Sequence, residues 1–145
     1  MKEKVASLLR EQVQCVLATQ GEQEIALHLM AYAFSPDLAQ VYLASLEPTQ
    51  KVKNMRGNPA VTLHWDNRTG NNADHSKGFA VSAFGRSNEL KADAAQSATA
   101  LLRNRNATLS ALLDNAQAVV FAIDIHRYQW VEGYTESMVY KPHNP

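Results

Sequence analysis

Apolar and polar positions along this chain repeat with two periods, and each change of period marks an element. Over residues 3 to 11, Val5, Leu8 and Leu9 fall on one helical face, with Lys4, Arg10 and Glu11 opposite. That spacing predicts an amphipathic helix. "VQCVLATQ" then reads as a strand ending in a turn at Gly21, and "EIALHLMAYAF" as a second strand closed by "SPD". "QVYLASL" reads as a third. The short turns between these three segments predict an antiparallel meander rather than crossover helices.

In "PTQKVKNMRGNP", Val52 and Met55 share one side, Pro48 suits a first turn, and Gly57 with Pro59 closes the segment. This predicts a helix. "AVTLHW" is a fourth strand. The polar run "DNRTGNNADHSK" is expected to be a mobile surface loop. "GFAVSAFGRSNEL" returns as a fifth strand, with Gly85 marking a bulge or a close backbone approach. Asp93 and Gln96 resemble a capping box opening a helix over residues 94 to 113. "AVVFAIDIHRYQWVEGY" is a long last strand region, expected to bend or break between His126 and Tyr128. Strands dominate and helices flank them, so the fold class is mainly β (α+β), a small, partly open barrel. No repeat or linker divides residues 1 to 145, so one domain is expected.

Composition narrows the function more than the fold. Of 145 residues 46% are apolar and 19% charged, and 14 basic residues balance 14 acidic ones. Zero net charge gives no long-range attraction to nucleic acid or to an anionic membrane, so any anion site must be local. Cys15 is the single cysteine, which excludes an intramolecular disulfide and a cysteine-based metal cluster. The start "MKEKVASLLREQ" lacks a signal-peptide core, and no apolar run reaches membrane-span length, so a cytoplasmic protein is expected. The N-x-T triplets at Asn67 and Asn106 are then read as chance.

The five histidines, His28, His64, His75, His126 and His143, are scattered, without HExxH or i, i+4 pairing. No metal site is expected. GxSxG, GxGxxG and the Walker A pattern are absent, and Cys15 on an apolar strand reads as a packing residue. What remains is the start of the helix after Pro48. There Thr49 offers a hydroxyl and Lys51 a charge, beside the free N–H groups and positive dipole of a first turn. Together they describe a phosphate cradle. A solvated helix with surface lysines is the plainer reading of the same residues. His28 stands out among the histidines because its strand neighbours this stretch.

The order of segments resembles the pyridoxamine 5′-phosphate oxidase-like family of FMN-binding split barrels. The matching residues are Ala18–Thr19, Tyr42 to Ser45, Thr49–Gln50–Lys51, Asn54, Asn58–Pro59, the glycine-containing "AFGRSNEL", and Trp130 with Gly133 in "RYQWVEG". The resemblance implies a six-stranded antiparallel split β-barrel, Greek-key-like, with flanking helices. It also implies a homodimer with the cofactor site at the subunit interface. In that scheme Thr49, Gln50 and Lys51 hold the FMN phosphate, and His28, Leu29 and Met30 run along the flavin edge. Ala44 and Ser45 border the ring, Trp130 approaches from the partner, and Lys141 adds charge. His28 is also the candidate proton-exchanging, catalytic residue.

Three departures shift the expected chemistry away from pyridoxamine phosphate oxidation. His28 stands where the vitamin B6 oxidases have arginine, Ala80 where they have glutamine, and "GYTESMVYKPHNP" where they have an arginine-rich end. The resemblance therefore implies an FMN-dependent oxidoreductase acting on an unknown small molecule. The alternatives are a haem-binding or haem-degrading relative with His28, His64 or His126 as axial ligand, and a non-catalytic dimeric module.

Overall fold

The computed structural model describes residues 1–143. In chain order the elements are α1 (Lys2–Glu11), β1 (Gln14–Gln20), β2 (Ile25–Ala31), β3 (Ala33–Phe34), β4 (Gln40–Leu46), α2 (Gln50–Gly57), β5 (Ala60–Asp66) and α3 (Asp74–Lys77). They continue with β6 (Phe79–Glu89), α4 (Ala92–Arg105), a 3₁₀ turn, α5 (Ser110–Leu113), β7 (Ala118–Glu132) and β8 (Glu136–Tyr140). All strand pairs are antiparallel, in the order β2-β1-β5-β6-β7-β4-β3, and β8 adds to β7. The two ends of that path, β2 and β3, are joined by Tyr32 alone. One continuous stretch of chain thus bends the sheet into a split barrel.

Strand alternation explains the core. Cys15, Leu17 and Thr19 of β1, Val61, Leu63 and Trp65 of β5, and Val81 and Ala83 of β6 turn inward. Leu43 of β4 and Ile123 of β7 meet them. The predicted apolar side of α1, Val5, Leu8 and Leu9, packs on this core, as do Val52 and Met55 of α2. A second, smaller cluster lies outside the barrel, where Ala98 and Leu102 of α4 cover Ala33, Ala44 and Val120.

Five expectations change. The antiparallel meander is present but split: β2 pairs with β1 and β3 with β4, so the second segment joins its two neighbours through different halves, and β4 crosses to pair with β7 on its other edge. The second strand divides at Tyr32 into β2 and β3, and the polar "ESMVY" pairs with β7 as β8, so the sheet has eight strands rather than six. The capping box does not form, since α4 starts at Ala92 with Lys91 as its cap and no side-chain cap bond. Nor does that helix reach residue 113. It ends at Arg105, and Asn106 donates its Nδ2 to the Tyr32 carbonyl at 3.0 Å. The polar loop is internally tied: the Asp74 carboxylate accepts from Thr69 N, Thr69 Oγ1 and Gly70 N at 2.7–3.0 Å.

The bulge at Gly85 is present. Pairing steps from Phe84↔Arg127 to Gly85↔Ile125, so His126 is the extra residue and β7 bends without breaking. A Cβ at Gly85 would collide with the Asp124 carbonyl oxygen.

α1 is anchored by a polar knot. Arg105 Nη2 donates to the carbonyls of Leu9 and Gln12, each at 2.6 Å. Tyr32 Oη lies 2.6 Å from the first and 2.8 Å from the second. The Arg105 guanidinium also lies over the Tyr32 ring, 4.7 Å from its centroid.

Two stability predictions follow from these contacts. Arg105→Met should lower the unfolding free energy in urea by about 1.5–3 kcal/mol, the worth of charge-assisted bonds to buried acceptors. Gly85→Ala should cost about 1–3 kcal/mol by overpacking the bulge, and an unchanged urea midpoint would contradict the close approach.

Candidate functional site

The site is built where β4 ends and α2 begins. Thr49 is the residue before the first turn of α2, but its hydroxyl donates to Leu46 O at 2.9 Å and forms no helix cap. Its proton is thereby used, so Ser45 Oγ, 3.1 Å away, is the donor between the two hydroxyls. The first N–H groups of α2 therefore have no side-chain acceptor, and no acidic residue lies in that turn. Lys51 stands in the same turn, where the helix dipole disfavours a cation unless an anion is near.

β2 carries His28 to this place. Register pairs Leu17 with His28 and Cys15 with Met30, so Ala26, His28 and Met30 share the inward row with Leu17 and Thr19. His28 Nε2 lies 3.1 Å from Thr19 Oγ1, Asn54 Nδ2 donates to the same oxygen at 3.0 Å, and Gln50 Nε2 donates to Asn54 Oδ1 at 2.7 Å. Thr19 and Asn54 are only 1% and 6% exposed. Burial first, and the Lys51 charge second, hold the His28 imidazole below its ordinary pKa of 6.5. His28, Thr49, Gln50 and Lys51 are thus one cluster, with Ser45 bonded at its edge.

Other predicted site residues lie elsewhere, and strand alternation is the main cause. Leu29 points to the face opposite His28, and Ala44 points away from Ser45, under Ala98 and Leu102 of α4. Met30 is buried in the barrel core opposite Cys15. Trp130 is 3% exposed, stacked on Phe79 at 4.5 Å and donating to Glu132 Oε1 at 2.6 Å, so within this chain it lies in the core and not at the corner formed by His28 and Lys51. Lys141 follows Tyr140, which pairs with Tyr128, and Tyr128 bonds Leu38 O at 2.7 Å. Within one chain that is the far end of β4 from Thr49. Cys15 is buried as a packing residue, its thiol pushed up to about 12 by desolvation.

Thr19 and Asn54 were not singled out as site residues from the sequence. The available signal was a hydroxyl at an inward position of an apolar strand and an amide on the same helical side as Val52 and Met55. Of the other histidines, His64 has both ring nitrogens engaged, Nε2 with Asp66 at 3.2 Å and Nδ1 with Ser82 at 3.4 Å. His126 is exposed on the bulge.

The split itself is the second part of the site. Among the described residues, the edge of β2 turned away from β1 has no strand partner, and β3 covers β4 only at Val41 and Tyr42. Two strand edges with free backbone donors and acceptors therefore flank the cationic corner. Beside them Ile25, Leu27 and Leu29 form an outward row, 71%, 69% and 69% exposed.

An antiparallel barrel split between two unpaired edges, with a cationic helix start at its mouth, defines a small α+β split-barrel protein. The chain belongs to the pyridoxamine 5′-phosphate oxidase family, whose pattern it matches over residues 1–132. No curated protein sequence matches it. Among solved structures it is similar to a haem-binding protein from Mycobacterium smegmatis, with TM-score 0.85, 15% identity, and coverage of 98% of this chain and 58% of that one. General Stress Protein 26 from Bacillus anthracis gives TM-score 0.71 at 17% identity, covering 97% of each chain. ChuZ from Campylobacter jejuni gives 0.79 at 8% identity, covering 98% of this chain and 59% of that one. At these identities the likeness shows the shared fold. No helix among the described residues is long and apolar enough to cross a membrane.

The depressed His28 pKa makes stability depend on pH with a definite sign. As pH falls below 6.5, the unfolded chain takes up the His28 proton before the folded chain does. Stability contributed by this group therefore falls with pH through that window and levels off below the folded pKa. The difference in unfolding free energy between the parent and His28→Gln should shrink on acidification across that window. Parallel stability curves for the two proteins would contradict the burial of His28 beside Lys51.

Proposed function

We propose that the protein is an FMN-binding oxidoreductase that works as a cytoplasmic homodimer. The observation that carries this reading is the convergence of Lys51, the uncapped start of α2 and His28 at the mouth of the split. Phosphate needs fixed N–H donors and a cation, and this corner supplies both without a carboxylate to oppose them. A planar ring with hydrogen-bonding edges suits the two unpaired strand edges beside it. The phosphate end of FMN therefore fits the residues present. Ring contacts on this chain fall to backbone groups of β2 and β4 and to Ser45, with Leu29, Ala44 and Trp130 outside that set.

In this reading the Lys51 ammonium and the backbone N–H groups of Gln50 and Lys51 at the start of α2 hold the phosphate and orient the cofactor, while Thr49, whose N–H and hydroxyl both donate to Leu46 O, shapes the turn that presents them. Bound flavin supplies hydride or electron transfer to a small-molecule substrate. His28 is the group of this chain placed to hold or pass a proton. A second copy covering Ile25, Leu27 and Leu29 would exclude water from the split, and an exposed apolar row of this kind favours such a contact.

The haem reading is favoured by one observation, the similarity to the Mycobacterium smegmatis haem-binding protein. Against it on this chain, His64 has both nitrogens occupied and His28 has Nε2 turned to Thr19. Of the three histidines considered as axial ligands, His126 is the one whose ring nitrogens make no hydrogen bond among the described residues.

Purified protein should take up FMN and show a flavin spectrum without a Soret band after addition of haem. Lys51→Ala should weaken FMN binding by roughly ten- to a hundredfold, matching about 1.5–3 kcal/mol for a charged hydrogen bond. Riboflavin, which lacks the phosphate, should bind the parent and Lys51→Ala alike. Equal FMN affinity in the two proteins would sink the phosphate assignment.

A further inference from the structure

The buried chain Gln50–Asn54–Thr19 does more than charge attraction requires. Thr19 and Asn54 sit in the packed interior beside Leu17, Val52 and Met55. Polar groups there are costly unless every hydrogen bond is made. Made in full, such a chain rigidifies whatever it ends on. It ends on His28.

The proton inventory gives the chain a direction. Gln50 Nε2 donates to Asn54 Oδ1, and Asn54 Nδ2 donates to Thr19 Oγ1. A threonine hydroxyl has one proton, and His28 Nε2 at 3.1 Å is the acceptor left for it. The opposite direction requires both amides to turn over. Gln50 would then present its NH2 to the positive end of α2 beside Lys51, which the dipole and the lysine both oppose. With Nε2 given to Asn54, the Gln50 amide keeps its carbonyl oxygen in the first turn of α2, where the dipole favours an acceptor.

We propose that Gln50, Asn54 and Thr19 are positioning residues that fix His28 as the neutral imidazole protonated on Nδ1. The second nitrogen makes no hydrogen bond among the described residues, so Nδ1–H is free to donate outward. Lys51 on α2 is the charged group acting on the ring. β1 brings only Leu17 and Thr19 against it, and β2 has no charged residue between Ile25 and Ala31. Near neutral pH the corner therefore meets an anion with one permanent charge and one neutral, pre-oriented donor. The tautomer stands independently of the ligand, whereas its use as a phosphate donor rests on the FMN reading above.

The test is a two-bond ¹H–¹⁵N correlation spectrum of ¹⁵N-histidine-labelled protein above the His28 pKa, with His28→Gln to assign the signals. His28 should show a pyrrole-type Nδ1 and an unprotonated Nε2. Thr19→Val should move the population toward the Nε2–H form, with the other histidine signals unchanged as a check on folding, and Thr19→Ser should restore it. Thr19→Val should also weaken FMN binding about two- to tenfold, the worth of one neutral hydrogen bond. An Nε2–H tautomer in the parent, or one indifferent to Thr19→Val, overturns the proposal.

FMN and inorganic phosphate are then titrated into the parent. If Nδ1–H is present and neither probe perturbs it, the positioning chain stands and the phosphate site fails. If Lys51-dependent FMN binding is found with an Nε2–H histidine, the reverse holds.

Discussion

The barrel depends on the knot formed by Arg105, Tyr32 and the last carbonyls of α1. A helix end leaves carbonyl oxygens that must find donors, and a partly buried guanidinium must find acceptors. Here Arg105 Nη2 serves both carbonyls, at 2.6 Å for Leu9 O and for Gln12 O, while Arg105 Nε stays buried without a partner among the described residues. Tyr32 supplies the aromatic floor for the cation, packs edge-on against Trp65 at 5.4 Å, and is the single residue joining β2 to β3. Asn106 then holds the Tyr32 carbonyl from the end of α4. Three elements far apart in sequence are thereby fixed at the point where the sheet closes.

The closure has a cost that becomes the site. Because the chain passes from β2 to β3 through one residue, β2 leaves with β1 and β3 leaves with β4. Their facing edges diverge and stay unpaired. Exposed strand edges invite pairing with other chains unless they are short, charged or covered. β2 is neither short nor charged, and its outward row is apolar. The split and the apolar row therefore lie side by side, both uncovered among the described residues of this chain, and the proposed second copy would cover them together.

Much of this was legible locally and little of it non-locally. The helical side of Val5, Leu8 and Leu9 and the pair Val52 and Met55 follow from neighbours a few residues apart, and a glycine inside a strand pattern marked position 85, although the atom that requires it, Asp124 O, lies on distant β7. The β4–β7 pairing, the break at Tyr32 and the capture of "ESMVY" as β8 depend on distant partners and left no local mark. The candidate site divides along a related line. Thr49, Gln50 and Lys51 are adjacent in sequence and share one turn, so a linear motif located them together. His28–Leu29–Met30 and Ala44–Ser45 were read as runs, but a strand turns successive side chains to opposite faces. Only alternate residues of such runs can share a site. Asn106, which caps the end of α4, bonds Tyr32 in a way that no capping pattern announces.

The two ends of α2 make the case for an anion in physical terms. At its C-terminal end Arg56 suits the dipole and is also matched by carboxylates, Glu89 at 2.8 Å and Glu47 at 3.1 Å. At its N-terminal end Lys51 opposes the dipole, no acidic residue is present in the first turn, and no ion pair to Lys51 forms among the described residues. Ordinary surface design would place a carboxylate first and the lysine last. Here positive potential accumulates beside His28, whose imidazolium is itself disfavoured by burial and by Lys51. An arginine on β2 would add a permanent second charge, and the neutral imidazole avoids that repulsion while keeping a donor. Lys51 opposes the dipole in the free chain, and an anion at this corner, as proposed for the FMN phosphate, would make the arrangement favourable.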